Sequence, residues 1–299
     1  MTQVTCPGLP GAWINGWLAA VGATVLDARV RLHWTTDGAP LAVLSAPEGG
    51  PLSALAESWP DGARLSSLPI AESWRGAGEV RRRVPVEAFA DRVRAARGHP
   101  YAWTLSSTMT DLCVDEHGEV AHAPFDPAGP GTIRWLHHRL MKVNERVEPT
   151  VGRIGDSLAG RAVRVKDNGL GFDQTRLGSQ ADEASIWVDP VVEVLAFFGL
   201  ALLPVRGQGA DRRLDRFADV RERQRGWRKT AESRDPRRFH WPAWGQPLDA
   251  SGIDALLDAW NPEKRQAWTQ VGVHAGWRTV AFQRRATADP TRAFGAEKL

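Results

Sequence analysis

Residues 188–205, with the sequence VDPVVEVLAFFGLALLPV, restrict the possible folds more than any other segment of the chain. Proline in the first turn and Gly199 near the end are typical of a helix. Because nearly every side chain is apolar, this helix must be covered on all sides, and we predict that it is buried against a sheet. The apolar run 191–205 is too short to span a bilayer and is interrupted by Glu193 and Pro204.

The first fifty residues have the periodicities of a helix followed by a hairpin. Trp13, Trp17 and Val21 share one helical face, and Asn15 is a candidate N-cap. Residues 29–34 alternate between polar and apolar side chains, and Asp37-Gly38 is a favourable hairpin turn before the strand LAVLS. The sequence therefore predicts helix, strand, turn and strand in this order.

The rest of the chain mixes helical and strand patterns without a regular βαβ alternation. Helices are predicted at 51–58, 85–97 and 251–260 and from about Thr132, and strands at 102–114 and 277–285. Residues 151–177 are polar and glycine-rich, and the last fourteen residues are expected to form a loose tail. This order predicts an α+β fold of mixed helices and antiparallel hairpins. It forms either one large domain or two closely packed halves, 1–150 and 151–299.

Composition indicates a globular protein, with 42% hydrophobic and 24% charged residues among 299. The net charge of +3 is too small to indicate a nucleic-acid partner by itself. Two cysteines, Cys6 and Cys113, exclude a disulfide framework and a cysteine-rich metal site. The first residues lack the basic start and apolar run of a secretory signal, so we expect a cytoplasmic protein with no membrane contact.

Most sequence signatures of enzymes are absent. The chain has no G-x-x-x-x-G-K-[ST] phosphate loop, no G-x-G-x-x-G turn and no G-x-S-x-G nucleophile elbow. We therefore expect no catalytic residue, no metal and no cofactor. The absence of these signatures favours a protein without enzymatic activity. A hydrolase whose site lies near His122, Asp126 and His138 stays open as an alternative, although no spacing requires these side chains to converge.

The segment 206–238 has the most distinctive charge pattern. It contains twelve arginines and lysines against six aspartates and glutamates, a local balance of +6. Arginine matches phosphate oxygens with paired donors, and an aromatic ring within a basic run is typical of single-stranded or RNA partners. A solvated helix with local ion pairs is the alternative. The predicted nucleic-acid-binding residues are Arg221, Arg223, Arg225, Trp227, Arg228, Lys229, Arg237 and Arg238.

Fourteen tryptophans raise the possibility of an aromatic binding surface. Trp241 and Trp244 flank Pro242 and could form an exposed ridge. Tryptophans in such turns more often hold a loop against the core, and we favour that interpretation.

Four segments, taken in order, resemble a family found beside type I-G CRISPR systems, formerly called I-U. Its members resemble the C-terminal extension of the helicase-nuclease of those systems. The segments are LPGAWINGWLAAVGATVL with RVRLHW, PFDPAGPGTIRWLHHRL, GFDQTRLGSQADEASIWVDPVVEVLAFFGLALLPV, and FHWPAWGQPLDASGIDALL. The PFDPAGPG loop departs from the polar Ser-Gly-Gln stretch expected there. The resemblance implies a part in CRISPR interference and assigns no role to any single residue.

The leading hypothesis is a non-catalytic subunit or accessory protein of a type I CRISPR interference complex. It would contact CRISPR RNA, target DNA or neighbouring effector subunits, with base pairing reading the sequence and the protein holding the backbone. A protein-interaction module without nucleic-acid contact is the first alternative, and the hydrolase is the second.

Overall fold

The apolar segment 188–205 contains a helix, Pro190–Gly199, of which all ten residues are buried. The Asp189 carboxylate caps it by accepting a hydrogen bond from the backbone N–H of Val191, and proline occupies the first turn. The predicted helix is therefore confirmed. Its main packing partner is a second helix, Ile14–Leu26, and not the sheet that the sequence suggested.

The computed structural model describes residues 1–67, 83–114, 118–122, 136–166, 187–204, 225–229, 237–280 and 295–299. In chain order the helices are α1 (Ile14–Leu26), α2 (Gly50–Ser58), α3 (Gly62–Ser66), α4 (Val86–Ala96), α5 (Trp103–Thr108), α6 (Leu136–Asn144), α7 (Val151–Leu158), α8 (Pro190–Gly199) and α9 (Ala250–Ala259). The strands are β1 (Thr2–Pro10), β2 (Arg31–Trp34), β3 (Leu41–Ala46), β4 (Arg83–Pro85), β5 (Met109–Val114), β6 (Glu119–His122), β7 (Val165–Lys166), β8 (Trp187–Val188), β9 (Trp227–Lys229), β10 (Arg237–Trp244), β11 (Val273–Val280) and β12 (Gly295–Lys298).

The strands form separate antiparallel sheets. The N-terminal sheet has the order β1-β3-β2, and the C-terminal sheet has the order β12-β11-β10-β9. A small sheet, β4-β6-β5, and the pair β7-β8 complete the described strands. Several antiparallel sheets mixed with helices confirm the predicted α+β class. Among the described helices, none combines the length and the apolar character that crossing a bilayer requires.

Two local predictions were wrong, and one helix was not predicted. The predicted strand 102–114 begins as helix α5 and becomes strand β5 only at Met109. The glycine-rich stretch after residue 150 begins with helix α7, which Thr150 caps through its side chain. The expected loose tail ends in β12, which pairs with β11 at the edge of the C-terminal sheet. The predicted start of a helix at Thr132 lies outside the described residues, which include α6 from Leu136.

Helices α1 and α8 cross with their backbones almost in contact. A Cβ atom at Gly22 would lie 1.8 Å from the carbonyl oxygen of Leu195, and one at Gly199 would lie 2.2 Å from that of Leu18. Only glycine leaves room for such an approach. Next to the crossing, the buried Asn15 amide donates a 2.7 Å hydrogen bond to the buried Glu193 carboxylate. Asn15 is thus a polar link within the core and does not cap α1.

Tryptophan side chains join the N-terminal and C-terminal parts of the chain. The indole N–H of Trp17 donates to the carbonyl of Pro242 at 2.9 Å. In the other direction, Trp241 donates to Gly11 at 2.8 Å and Trp244 donates to Leu32 at 3.0 Å. All three side chains are fully buried, so one hydrophobic core continues from residues before 150 to residues after it. The interpretation of Trp241 and Trp244 as core residues is therefore confirmed.

We expect the substitution Gly22→Ala to destabilise the fold, because the new methyl group has to push α8 away from α1. Overpacking of this kind lowers the free energy of unfolding by about 1–3 kcal/mol. Gly152→Ala in α7 is the matched control, since no described atom lies within 4 Å of the position of its Cβ, and alanine favours a helix. Urea unfolding followed by tryptophan fluorescence checks both. Equal stability of Gly22→Ala and the unmodified protein would contradict the close crossing.

Candidate nucleic-acid interface

The described part of the basic segment forms two strands, β9 and β10, rather than a helix. Arg228 lies opposite Arg238, and Trp227 lies opposite Phe239. Successive side chains of a strand point to opposite faces of a sheet. The arginines therefore share one face, and the aromatic residues share the other. Arg221 and Arg223 lie outside the described residues.

Arg225, immediately before β9, is a buried structural residue. Its guanidinium group donates to the carbonyl of Leu202 at 2.9 Å and to the carboxylate of Asp254. It also donates to Asp258 at 2.9 Å, and only 6% of the Arg225 side chain is exposed. Asp254 and Asp258 are one turn apart on α9, so the pair ties this helix to the start of β9. The guanidinium group of Arg225 is therefore hydrogen-bonded to groups of the protein itself.

Trp227 is likewise buried, and its ring lies 5.9 Å from that of Phe239. Phe239 stacks on Trp241 at 5.7 Å, and Trp241 stacks on Trp277 at 6.3 Å. Trp17 of α1 meets the Phe239 ring edge-on. The aromatic face of the C-terminal sheet is therefore the face that is packed against α1. For Lys229 and Arg237 only the backbone is described.

The opposite face of the same sheet carries three arginines on adjacent strands. Arg228 on β9 faces Arg238 on β10, and Arg278 on β11 lies opposite His240, two residues further along β10. All three side chains are partly exposed. We call Arg228, Arg238 and Arg278 the arginine face. It combines two residues that were predicted from the basic segment with one, Arg278, that was not.

A carboxylate from the C-terminal strand borders this surface. Glu297 on β12 lies opposite Arg278, and Arg278 Nε donates to its carboxylate at 2.9 Å. The hydrogen bond from Arg278 lowers the pKa of Glu297, and the charges of Arg278 and Arg238 act in the same direction. Glu297 is therefore an acidic neighbour of Arg278 at the edge of the arginine face.

His240 lies under the arginine face and is 6% exposed. Its pKa is lowered to about 4, mainly by burial; the charges of Arg228 and Arg278 act in the same direction, while hydrogen bonds with backbone groups oppose the shift. Its ring Nδ1 lies 3.1 Å from the carbonyl oxygen of Arg238, which fits an Nδ1–H donor. The ring is therefore neutral at pH 7, and the positive charge of this region comes from the arginines.

The side chains predicted for the alternative hydrolase site lie outside the described part of the structure. His122 ends β6 and His138 lies in α6, with only their backbones described, and Asp126 falls outside the described residues. Within the described residues no group of three or more His, Cys, Asp or Glu side chains is arranged to hold a metal ion.

The chain matches no protein-family model, and neither the curated proteins nor the solved structures contain a significant match to it. The described fold is that of an α+β protein whose C-terminal sheet has one aromatic, buried face and an opposite face on which three arginines are partly exposed.

The lowered pKa of His240 predicts a pH-dependent stability. The unfolded chain binds a proton at His240 below about pH 6.5, whereas the folded chain resists protonation until about pH 4. This contribution to stability is complete above pH 6.5 and is lost as the pH falls towards 4, by about 1.4 kcal/mol for each pH unit.

The variant His240→Asn keeps an N–H donor and removes the titrating group. Urea unfolding at pH 7 and pH 5 should show a loss of stability that is about 2 kcal/mol larger in the unmodified protein than in the variant. Burial also lowers the pKa values of His33 and His274, but both proteins share those groups. Equal losses in the two proteins would show that His240 titrates normally.

Proposed function

We propose that this chain is a non-catalytic, nucleic-acid-binding component of a type I CRISPR interference complex and that it holds a phosphate backbone on the arginine face. The observation that carries the binding proposal is the alignment of Arg228, Arg238 and Arg278 on one side of three hydrogen-bonded strands. The CRISPR context depends on the resemblance of the four sequence segments. The two parts are tested separately.

Phosphate binding follows from the chemistry of the surface. Each guanidinium group offers paired N–H donors and a charge that does not titrate near neutral pH. The strands fix the backbone positions of the three residues, so only their side chains have to be ordered when an anionic chain binds. Neutralising phosphates releases condensed counterions, which makes such binding strongly dependent on salt.

Two features of the molecule bear on the alternatives. Trp241 and Trp244, the ridge first considered for protein docking, are fully buried and hydrogen-bonded within the core. A module that binds proteins would therefore need another surface. The hydrolase alternative stays a prediction, because the side chains of His122, Asp126 and His138 lie outside the described structure.

Replacing the three arginines by glutamine tests the binding surface. We expect Arg228→Gln, Arg238→Gln and Arg278→Gln together to weaken binding to oligonucleotides equally for unrelated sequences. The slope of log K against log salt should become shallower by roughly one for each arginine. Fluorescence anisotropy titrations at several salt concentrations measure both quantities.

A variant with Arg64, Arg97 and Arg164 changed to glutamine is the matched control. These arginines are exposed and lie outside the strands of the C-terminal sheet, and the change in net charge is the same. The control should keep the affinity and the salt dependence of the unmodified protein. If both triple variants lose affinity equally, net charge alone governs binding and the arginine face is not the interface.

Glu297 should oppose binding, because its carboxylate occupies Arg278 where a phosphate would otherwise sit. We expect Glu297→Gln to raise the affinity for oligonucleotides several-fold, by roughly one kcal/mol or less for an exposed pair. Glu263→Gln, an exposed carboxylate outside the sheet, is the control and should leave affinity unchanged. An unchanged or lower affinity of Glu297→Gln would contradict the assignment.

Purification of the tagged protein from its native host tests the CRISPR context. We expect CRISPR RNA and effector subunits to be recovered together, as identified by sequencing and mass spectrometry. Nuclease treatment before purification shows whether the RNA bridges the contact. Recovery of neither would overturn this part of the proposal and leave the binding surface to be judged by the arginine variants.

A further inference from the structure

The two outer strands of the N-terminal sheet differ in what lies beside them. The sheet has the order β1-β3-β2. On the β2 side, the backbone of Leu32 exchanges two hydrogen bonds with that of Leu248, at 2.8 and 3.0 Å. On the β1 side, no further strand is paired within the described part of the chain. The sheet is therefore continued at β2 and open at β1.

The bonds of Leu32 also fix which backbone groups of β1 point out of the sheet. In an antiparallel pair the N–H and C=O of one residue point to the same side, and that side alternates along the strand. Because the backbone of Leu32 points away from β3, its partner Leu44 points towards β1, where it lies opposite Val4. Val4 is therefore bonded to β3, and the backbone groups of Gln3 and Thr5 point outwards.

The outer edge of β1 is accessible at these two residues. Gln3 and Thr5 are both exposed. Among the described residues, no backbone hydrogen bond outside the pairing of β1 with β3 joins either of them to another segment. Helix α7 approaches the strand only from Gly8, where a Cβ would lie 2.6 Å from the carbonyl oxygen of Ser157. Residues 2–6 therefore form an edge with free donors and acceptors.

This edge lacks the features that usually prevent strand pairing. Sheet edges are commonly protected by charged residues, proline or bulges. Residues 2–6, with the sequence TQVTC, contain no charge and no proline, and the irregular pairing of β1 begins only after Cys6. The outer strands β4, β5, β9 and β12 of the other sheets with three or four strands each carry charge, at Arg83, Asp111, Arg228 and Glu297 respectively.

A second copy of β1 is complementary to this edge. Two antiparallel copies related by a two-fold axis at Val4 place Gln3 of each copy opposite Thr5 of the other. Both are outward-pointing residues, so each of these two pairs exchanges both backbone hydrogen bonds. Val4, which is partly buried against the core, lies beside its own copy. Because the segment is uncharged, no like charges meet.

We propose that β1 is the contact surface between two copies of this chain, which pair as antiparallel edge strands through Gln3 and Thr5. The two N-terminal sheets then form one continuous sheet with the strand order β2-β3-β1-β1-β3-β2. The contact is small, so the dimer is weak, with a dissociation constant on the order of 10 μM. This inference goes beyond the proposed function and does not depend on nucleic-acid binding.

Sedimentation equilibrium of the untagged full chain between about 1 and 200 μM measures the association. We expect a monomer–dimer equilibrium. Gln3→Lys with Thr5→Lys places like charges opposite each other in both pairs and should raise the dissociation constant about ten-fold or more. Gln3→Glu with Thr5→Glu should do the same. An equal mixture of the two variants should dimerise again, because lysine then lies opposite glutamate in every pair. Recovery on mixing also shows that both variants are folded.

Gln266→Lys with Thr269→Lys is the matched control. It changes the same residue types and the same charge at exposed positions outside the N-terminal sheet, and it should dimerise like the unmodified chain. A chain that stays monomeric over the whole range would overturn the proposal and leave the edge to a strand of another protein. A dimer that the lysine variant does not weaken, or variants that do not recover on mixing, would place the contact elsewhere and overturn it as well.

Discussion

The close crossing of α1 and α8 is the contact on which the remaining structure depends. Gly22 and Gly199 remove the side chains that would separate the helices, so each backbone lies against the other. Because the two helices are in close contact, all ten residues of α8 are buried. Burial at this depth is favourable only if polar groups inside are paired, and the Asn15–Glu193 hydrogen bond meets part of that requirement.

The position of α1 in turn orients the C-terminal sheet. Trp17 projects from α1, bonds to the carbonyl of Pro242 in β10, and packs edge-on against Phe239. These contacts assign one face of β10 to the core. Because neighbouring residues of a strand alternate, the other face is assigned to Arg238 and, through pairing, to Arg228 and Arg278. The arginine face is therefore a geometric consequence of where the tryptophans are buried.

Sequence patterns predicted the elements that have strong local signals. The hairpin at Asp37-Gly38, the apolar helix α8 and the helix α9 all follow from periodicity, turn residues and capping residues. Helix α7 was missed because two glycines weaken its pattern, and its Thr150 cap is a signal that could have found it. Strand β12 was missed because its pairing with β11 is a tertiary contact that no local pattern carries. The burial of α8 followed from composition, but its partner did not.

The basic segment shows why a count of arginines does not define a surface. Arg225 and Arg228 are three residues apart, yet one is enclosed by Asp254 and Asp258 and the other is partly exposed on the arginine face. The difference arises from α9, whose two carboxylates are brought to Arg225 by the tertiary fold. Arg278 was overlooked because it is distant in sequence, although the alternation of Trp277, Arg278 and Thr279 matches a strand with one polar face. The placement of charge on a surface is thus set by strand pairing and by the helices that pack beside it, and only after both are known do separate arginines form one face.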